Sequence, residues 1–169
     1  MRAKAVRRLL FLLWVIIPLG ILAAIAVPNF INAMNRARQK RTMADMRTVA
    51  TAIEALGTDT KKYGLVPITR VLPKGDPLRF ETLQRVTYAD LSHSLQPTYM
   101  RKLPRFDGWG TEMEVRVDRD YSTYVVRAAG RDHAFQKQPY QFRTTTDFDE
   151  DILLSEGNFL QYPEGICNQ

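Results

Sequence analysis

Residues 9–27 read LLFLLWVIIPLGILAAIAV, a run with no charged or strongly polar side chain. As an α-helix this stretch is about 28 Å long, close to the ~30 Å hydrocarbon core of a bilayer. A domain as small as the remainder of the chain has no interior that could hide a helix apolar on every face, so the run predicts one membrane crossing. Pro18 removes a backbone donor mid-segment and Gly20 loosens the same turn, so a kink is expected there. A secretory signal peptide is the competing reading: a basic stretch ends at Arg8, an apolar stretch follows, and Ala24 and Ala26 are spaced for a cut before Val27. The length of the run, and its continuation into a helical pattern, favour an uncut anchor.

Charge is informative only once it is placed. The formal net charge is +6, from 24 Lys and Arg against 18 Asp and Glu. Arg2, Lys4, Arg7 and Arg8 precede the apolar run, and Arg36, Arg38, Lys40, Arg41 and Arg47 follow it, opposed only by Asp45. The rest of the chain has a slight acidic excess. No basic stripe interleaved with aromatics marks that remainder, so no nucleic-acid partner is expected. Basic residues on both sides of the apolar run give the positive-inside rule no clear vote. Cys167 is the single cysteine, which excludes an intrachain disulfide and a cysteine metal site.

Beyond Pro28, apolar residues recur at three- and four-residue steps: Phe30, Ile31 and Met34, then Met43, Met46, Val49, Ala50, Ile53 and Leu56. This predicts an amphipathic continuation of the helix over residues 28–57, with Gly57 and the following Thr58, Asp59 and Thr60 as its stop and a stretch polar on all sides at residues 35–42. Residues 61–78, with Gly64, Pro67, Pro73, Gly75 and Pro77, read as a loop. Leu83, Val86, Leu91 and Leu95 suggest a short helix over residues 80–95. Alternation then predicts a hairpin, Met113, Val115 and Val117 followed by Tyr121, Thr123 and Val125 around a turn at residues 118–120. A second hairpin, residues 152–154 and 158–162, flanks Ser155, Glu156 and Gly157. The expected fold class is therefore α+β: a basic leader (1–8), a transmembrane helix (9–27), its amphipathic continuation (28–57), and a head (58–169) with a short helix and a small antiparallel β-sheet.

Five strings carry a resemblance. GILAAIAVPNF at residues 20–30 resembles the second half of the N-terminal segment of type IV pilin-like proteins. MADMRTVATAIEALGTDTKKYG resembles the helix and exit of the major pseudopilin of type II secretion, and LPRFDGWGTEMEV resembles that family's LP-x-D-x-WG signature before a strand. YSTYVVRAAGRD and DFDEDILLSEGNFLQYPEG resemble the following strand with its Gly-x-Asp loop and the closing hairpin. The resemblance implies a non-enzymatic structural subunit, single-pass in a bacterial inner membrane with its head in the periplasm or outside. Its partners would be the membrane, neighbouring pilin-like subunits and a secretion or pilus assembly machinery. Small residues Gly20, Ala23, Ala24 and Ala26 would allow close helix packing, and a head-to-tail contact that does not close generates a filament. The processing signature is replaced: aligned on Gly20, Val6 stands where the family has glycine, Arg7 at its aromatic first mature residue and Phe11 at its glutamate. An uncut or divergent subunit follows as one expectation, and an exported or tethered module that does not polymerise as the other.

The resemblance also points to calcium, for which clustered carboxylates supply the hard oxygen ligands. Asp132 matches the Gly-x-Asp position, Asp149 and Asp151 fit the downstream pair, and Asp147 is a reserve ligand, with Glu150 among them. A solvated acidic turn is the plainer alternative. His93 and His133 lack ligand spacing. Ser92 and Ser94 flank His93 in sequence, but adjacent helical residues do not face one another, so no triad is expected. Residues 108–110 predict a tight turn, with Trp109 as a core anchor.

Overall fold

The computed structural model describes residues 2–60, 83–117, 123–136 and 143–164, with side chains from residue 11 onward. The elements are α1 (Arg2–Thr60), β1 (Gln84–Val86), α2 (Tyr88–Leu95), β2 (Glu114–Val117), β3 (Tyr124–Ala128), β4 (Arg143–Thr145), β5 (Ile152–Ser155) and β6 (Asn158–Pro163). They fall into two compact units, Met1–Ala37 and Arg38–Gln169, the second of which we call the head. The expected loop at 61–78, the turn at 118–120, Tyr121 and Cys167 lie outside the described residues.

The first unit is helical, with Pro18 and Pro28 inside the helix. Its large apolar side chains are exposed from Phe11 through Met34. Gly20 has nothing within 4 Å of the position a Cβ would take.

In the head, α1 lays one stripe on a six-stranded sheet of order β1-β2-β3-β5-β6-β4. Met43, Met46, Val49, Ala50 and Ile53 bury against Val115, Val117, Tyr124, Val126, Ala128, Ile152, Leu154 and Phe159. Burying a side chain such as Met46 or Ile53 stabilises by about 1.5–3 kcal/mol. The strands pair antiparallel except β4, which runs parallel to β6 at the sheet's edge, so the expected antiparallel sheet is in fact mixed. The β5–β6 hairpin is as expected. Its turn residues Glu156 and Gly157 both have positive φ, 49° and 76°, which matches the right-handed twist of the flanking strands.

Several expectations shift. The helix runs past Gly57 to Thr60, the end of the expected stop, where Thr58 and Thr60 hydroxyls donate back to the carbonyls of Glu54 and Leu56. The stretch expected to be polar on every side is not free of the head: Gln39 and Thr42 are buried. Thr42 is part of a joint in which its Oγ1 donates to Arg38 O and accepts from the Gly108 amide at 2.8 Å. Leu83 and Val86 do not belong to a helix. The segment splits into β1 and α2 because Thr87 is an N-cap, accepting from the Asp90 amide and donating to the Asp90 carboxylate. Strand β3 is buried on both faces, so alternation could not fix its phase: Tyr124, Val126 and Ala128 face α1, while Val125 packs with Leu153 on the other face.

Candidate functional site

Among the described residues, the apolar half of α1 forms an extended exposed apolar surface. Trp14 is 81% exposed and Phe11 71%, and the most apolar 18-residue window of this helix has none of its residues buried. Its mean hydropathy is 2.5, long and apolar enough to cross a bilayer. Exposed apolar patches on soluble monomers rarely exceed a few hundred Å², and this one covers a helix from residue 11 to residue 34 on all sides.

The carboxylates singled out for calcium divide. Asp149 accepts a bidentate pair from Arg131, Nε at 2.8 Å and Nη2 at 2.7 Å. That pair holds the Asp149 carboxyl below the usual carboxylate range. The hydrogen bond to Asp149, the charge of that carboxylate, and the charges of Asp147 and Asp132 together raise the Arg131 guanidinium. Asp147 also accepts from the Asp149 amide, and Asp132 from the Ala134 amide, so each carboxylate braces its own turn. Asp151 is fully buried instead, accepting from the Gln136 amide, 3.8 Å from Arg127. The structure thus pairs Asp149 with Arg131 and turns Asp151 toward Arg127, while Asp132 and Asp147 accept within their own turns. Among the described residues no group of three or more His, Cys, Asp or Glu is arranged to hold a metal ion. Gly130 permits this crossing, because a Cβ there would overlap the backbone of Phe148 and Asp149.

The Asp107 turn is built as the sequence suggests. Asp107 Oδ1 accepts from the amides of Trp109 and Thr111, and Gly110 has φ +96°. Burial pushes the Asp107 carboxyl up despite these bonds. Trp109, expected as a core anchor, is half-buried and lies outside the hydrophobic core cluster. His133, with φ +58°, meets Thr111 Oγ1 through Nδ1 at 2.7 Å and ties this turn to the loop after β3. The Ser92 hydroxyl donates to the side chain of Gln96, the C-cap of α2, and the Ser94 hydroxyl to the Asp90 carbonyl.

Comparison with protein-family models, curated proteins and solved structures gives no match. The architecture itself is pilin-like: a long N-terminal helix, apolar in its first half, whose second half packs on a small open β-sheet.

A buried charge cluster escaped the sequence reading. On the sheet face away from α1, Glu114 is 4% exposed and Arg127 7%, paired directly across β2 and β3. Arg116 joins Glu114 at 2.9 Å, and Arg85 approaches it at 3.7 Å. Phe135 covers Arg127, whose guanidinium stands 4.0 Å from the ring centre. The signal lay in the alternation of Glu114, Arg116 and Arg127 with valines, which reads as a solvated face until residues 131–136 are laid over it.

Proposed function

We propose that this chain is a membrane-anchored, non-enzymatic structural subunit of a pilin-like filament, serving a type II secretion or type IV pilus-like apparatus, with its head in the periplasm or outside. The observation that carries the reading is the complete exposure of an apolar helix that runs on into a well-packed head. Lipid offers no hydrophobic drive between such helices, so association depends on close packing at small residues such as Gly20, Ala23 and Ala24. In a Cys167→Ser background, single cysteines placed along residues 12–26 are expected to give cross-linked ladders in membranes, in a helical pattern of strong and weak positions. A chain that stays monomeric at every position is tethered but not polymerising. Intact mass completes the test: a chain that begins at Met1 is an uncut anchor, and one that begins at Val27 excludes both anchor and filament.

A second reading is favoured by the negative charges of Asp149, Asp147 and Asp132 that act on Arg131, Asp149 in direct contact with it. In it, the chain is a tethered or exported module that does not polymerise and whose acidic loop binds calcium, with Asp151 supplying a ligand after rearrangement. Ligand present at 100 times its Kd stabilises by about 2.7 kcal/mol. The head would then lose several degrees of Tm on adding chelator and regain them with Ca²⁺. An unchanged Tm overturns this reading and leaves the loop's carboxylates to Arg131, Arg143 and Arg127.

A further inference from the structure

We propose that the first turns of the head form a collar that binds the headgroups of anionic phospholipids. The inference rests on the membrane-anchor reading above and adds a surface and a lipid class to it. Arg38, Lys40 and Arg41 are exposed on α1. At about 100° per residue, Arg38 and Arg41 stand on one flank of the buried stripe that includes Gln39, Thr42 and Met46, and Lys40 stands on the other. Among the described residues Arg38 and Lys40 have no ion-pair partner, and Arg41 has only Asp45 at 3.7 Å. Positive charge therefore surrounds the helix where it enters the head.

The Asp107 turn is pressed onto the same stretch of helix. Gly108 donates to Thr42 Oγ1 at 2.8 Å, and its α-carbon lies so close to Arg38 that a Cβ would come within 2.5 Å of the Arg38 carbonyl oxygen. Phe106 is two residues from Gly108, so the chain holds it within about 7 Å of this contact. Phe106 is 51% exposed and, among the described residues, it is the one exposed large hydrophobic outside residues 11–34. Arg105 leans over it, 5.3 Å from the ring centre, and pairs at 3.3 Å with Glu112. An aromatic wedge beside clustered basic groups is the chemistry of an anionic membrane interface, where each basic residue strengthens association about fivefold.

Chain reach puts a membrane within range. Met34 is the last exposed large hydrophobic of the apolar half, and Arg38 follows four residues later. Four residues span at most about 14 Å even when fully extended, whatever the course of the chain between them. The same assignment accounts for basic residues on both sides of the apolar run: the second set serves headgroup contact and leaves orientation unmarked.

The test uses the full chain carrying Trp14→Phe, which leaves Trp109 as the sole tryptophan of the two. It is reconstituted in phosphatidylcholine vesicles with and without phosphatidylglycerol, each doped with a headgroup spin-labelled lipid that quenches indole fluorescence. The expected result is Trp109 quenching only with phosphatidylglycerol. It should fade as salt shrinks the screening length from about 10 Å at 0.1 M to about 3 Å at 1 M. Arg38→Glu, Lys40→Glu and Arg41→Glu together should abolish it, and Phe106→Ser should weaken it, both with melts matching the parent. Equal quenching in the two vesicle types overturns the collar, since proximity alone would then explain it. Quenching in neither also overturns it and turns the basic face toward an acidic protein surface. Resistance to alkaline carbonate extraction, read on the same vesicles, reports the anchor separately.

Discussion

Replacing Gly108 with alanine is expected to destabilise the head by about 3 kcal/mol, the upper part of the range for overpacking a tight site. A Cβ at this position would meet the Arg38 carbonyl oxygen at 2.5 Å, its carbonyl carbon at 2.9 Å and its Cα at 3.0 Å. All three are backbone atoms of a helix and cannot swing aside as a side-chain end can. Either the turn lifts off α1, losing the Gly108 amide bond to Thr42, or α1 moves and disturbs the Met43 and Met46 packing. For a unit of this size the loss corresponds to a fall of about 10 °C in Tm. Thr42→Val removes the hydrogen bond without the overlap and is expected to cost about 1–2 kcal/mol. Thermal melts that rank the two variants equal would mean that steric contact contributes nothing at this joint.

Removing one member of the buried charge cluster should cost as much. Breaking a buried ion pair typically destabilises by about 3–5 kcal/mol, since the partner is left charged in a dry site. Arg127→Met takes the opposing charge from Glu114 and the neighbouring cation from Asp151, while Arg116 still shields Glu114. A loss of about 3 kcal/mol is therefore expected. The pH dependence has a defined sign. Burial alone would raise the Glu114 pKa, but hydrogen bonds from Arg127 and Arg116 reverse this and hold it below its ordinary value. The stability it contributes is fully present above the unfolded pKa, about 4.3, and is lost as pH falls through the lower folded value. Asp107 carries the opposite sign, because its raised pKa favours the folded state on the acid side. Urea melts from neutral pH to pH 3 should show a steep acid loss in the parent and a shallower one in Arg127→Met. Parallel curves would show that Glu114 does not depend on Arg127.

What was legible in the sequence follows from how locally each feature is specified. The apolar run, the Met43-to-Ile53 stripe and the β5–β6 hairpin are written in consecutive residues, and all were readable. Element edges set by a single hydrogen bond were not. Leu83, Val86, Leu91 and Leu95 keep helical spacing by coincidence, and only the Thr87 cap with Asp90 separates strand from helix. Strand β4 has three residues and no alternation, and it exists through pairing with β6 across the chain. The same holds for the acidic loop, whose residues cluster in the sequence. Arg131, sixteen or more residues upstream of Asp147, Asp149 and Asp151, takes up Asp149, and Arg127, on a strand, decides where Asp151 goes.

The two outermost strands carry a consequence for assembly. β1 and β4 border the open sheet, each is three residues long, and each presents an exposed arginine, Arg85 or Arg143. Borders this short and charged make poor templates for an incoming strand. Under the proposed filament reading, sheet margins closed to pairing would leave growth to the helix and would guard a crowd of such chains against stacking into fibrils through their heads.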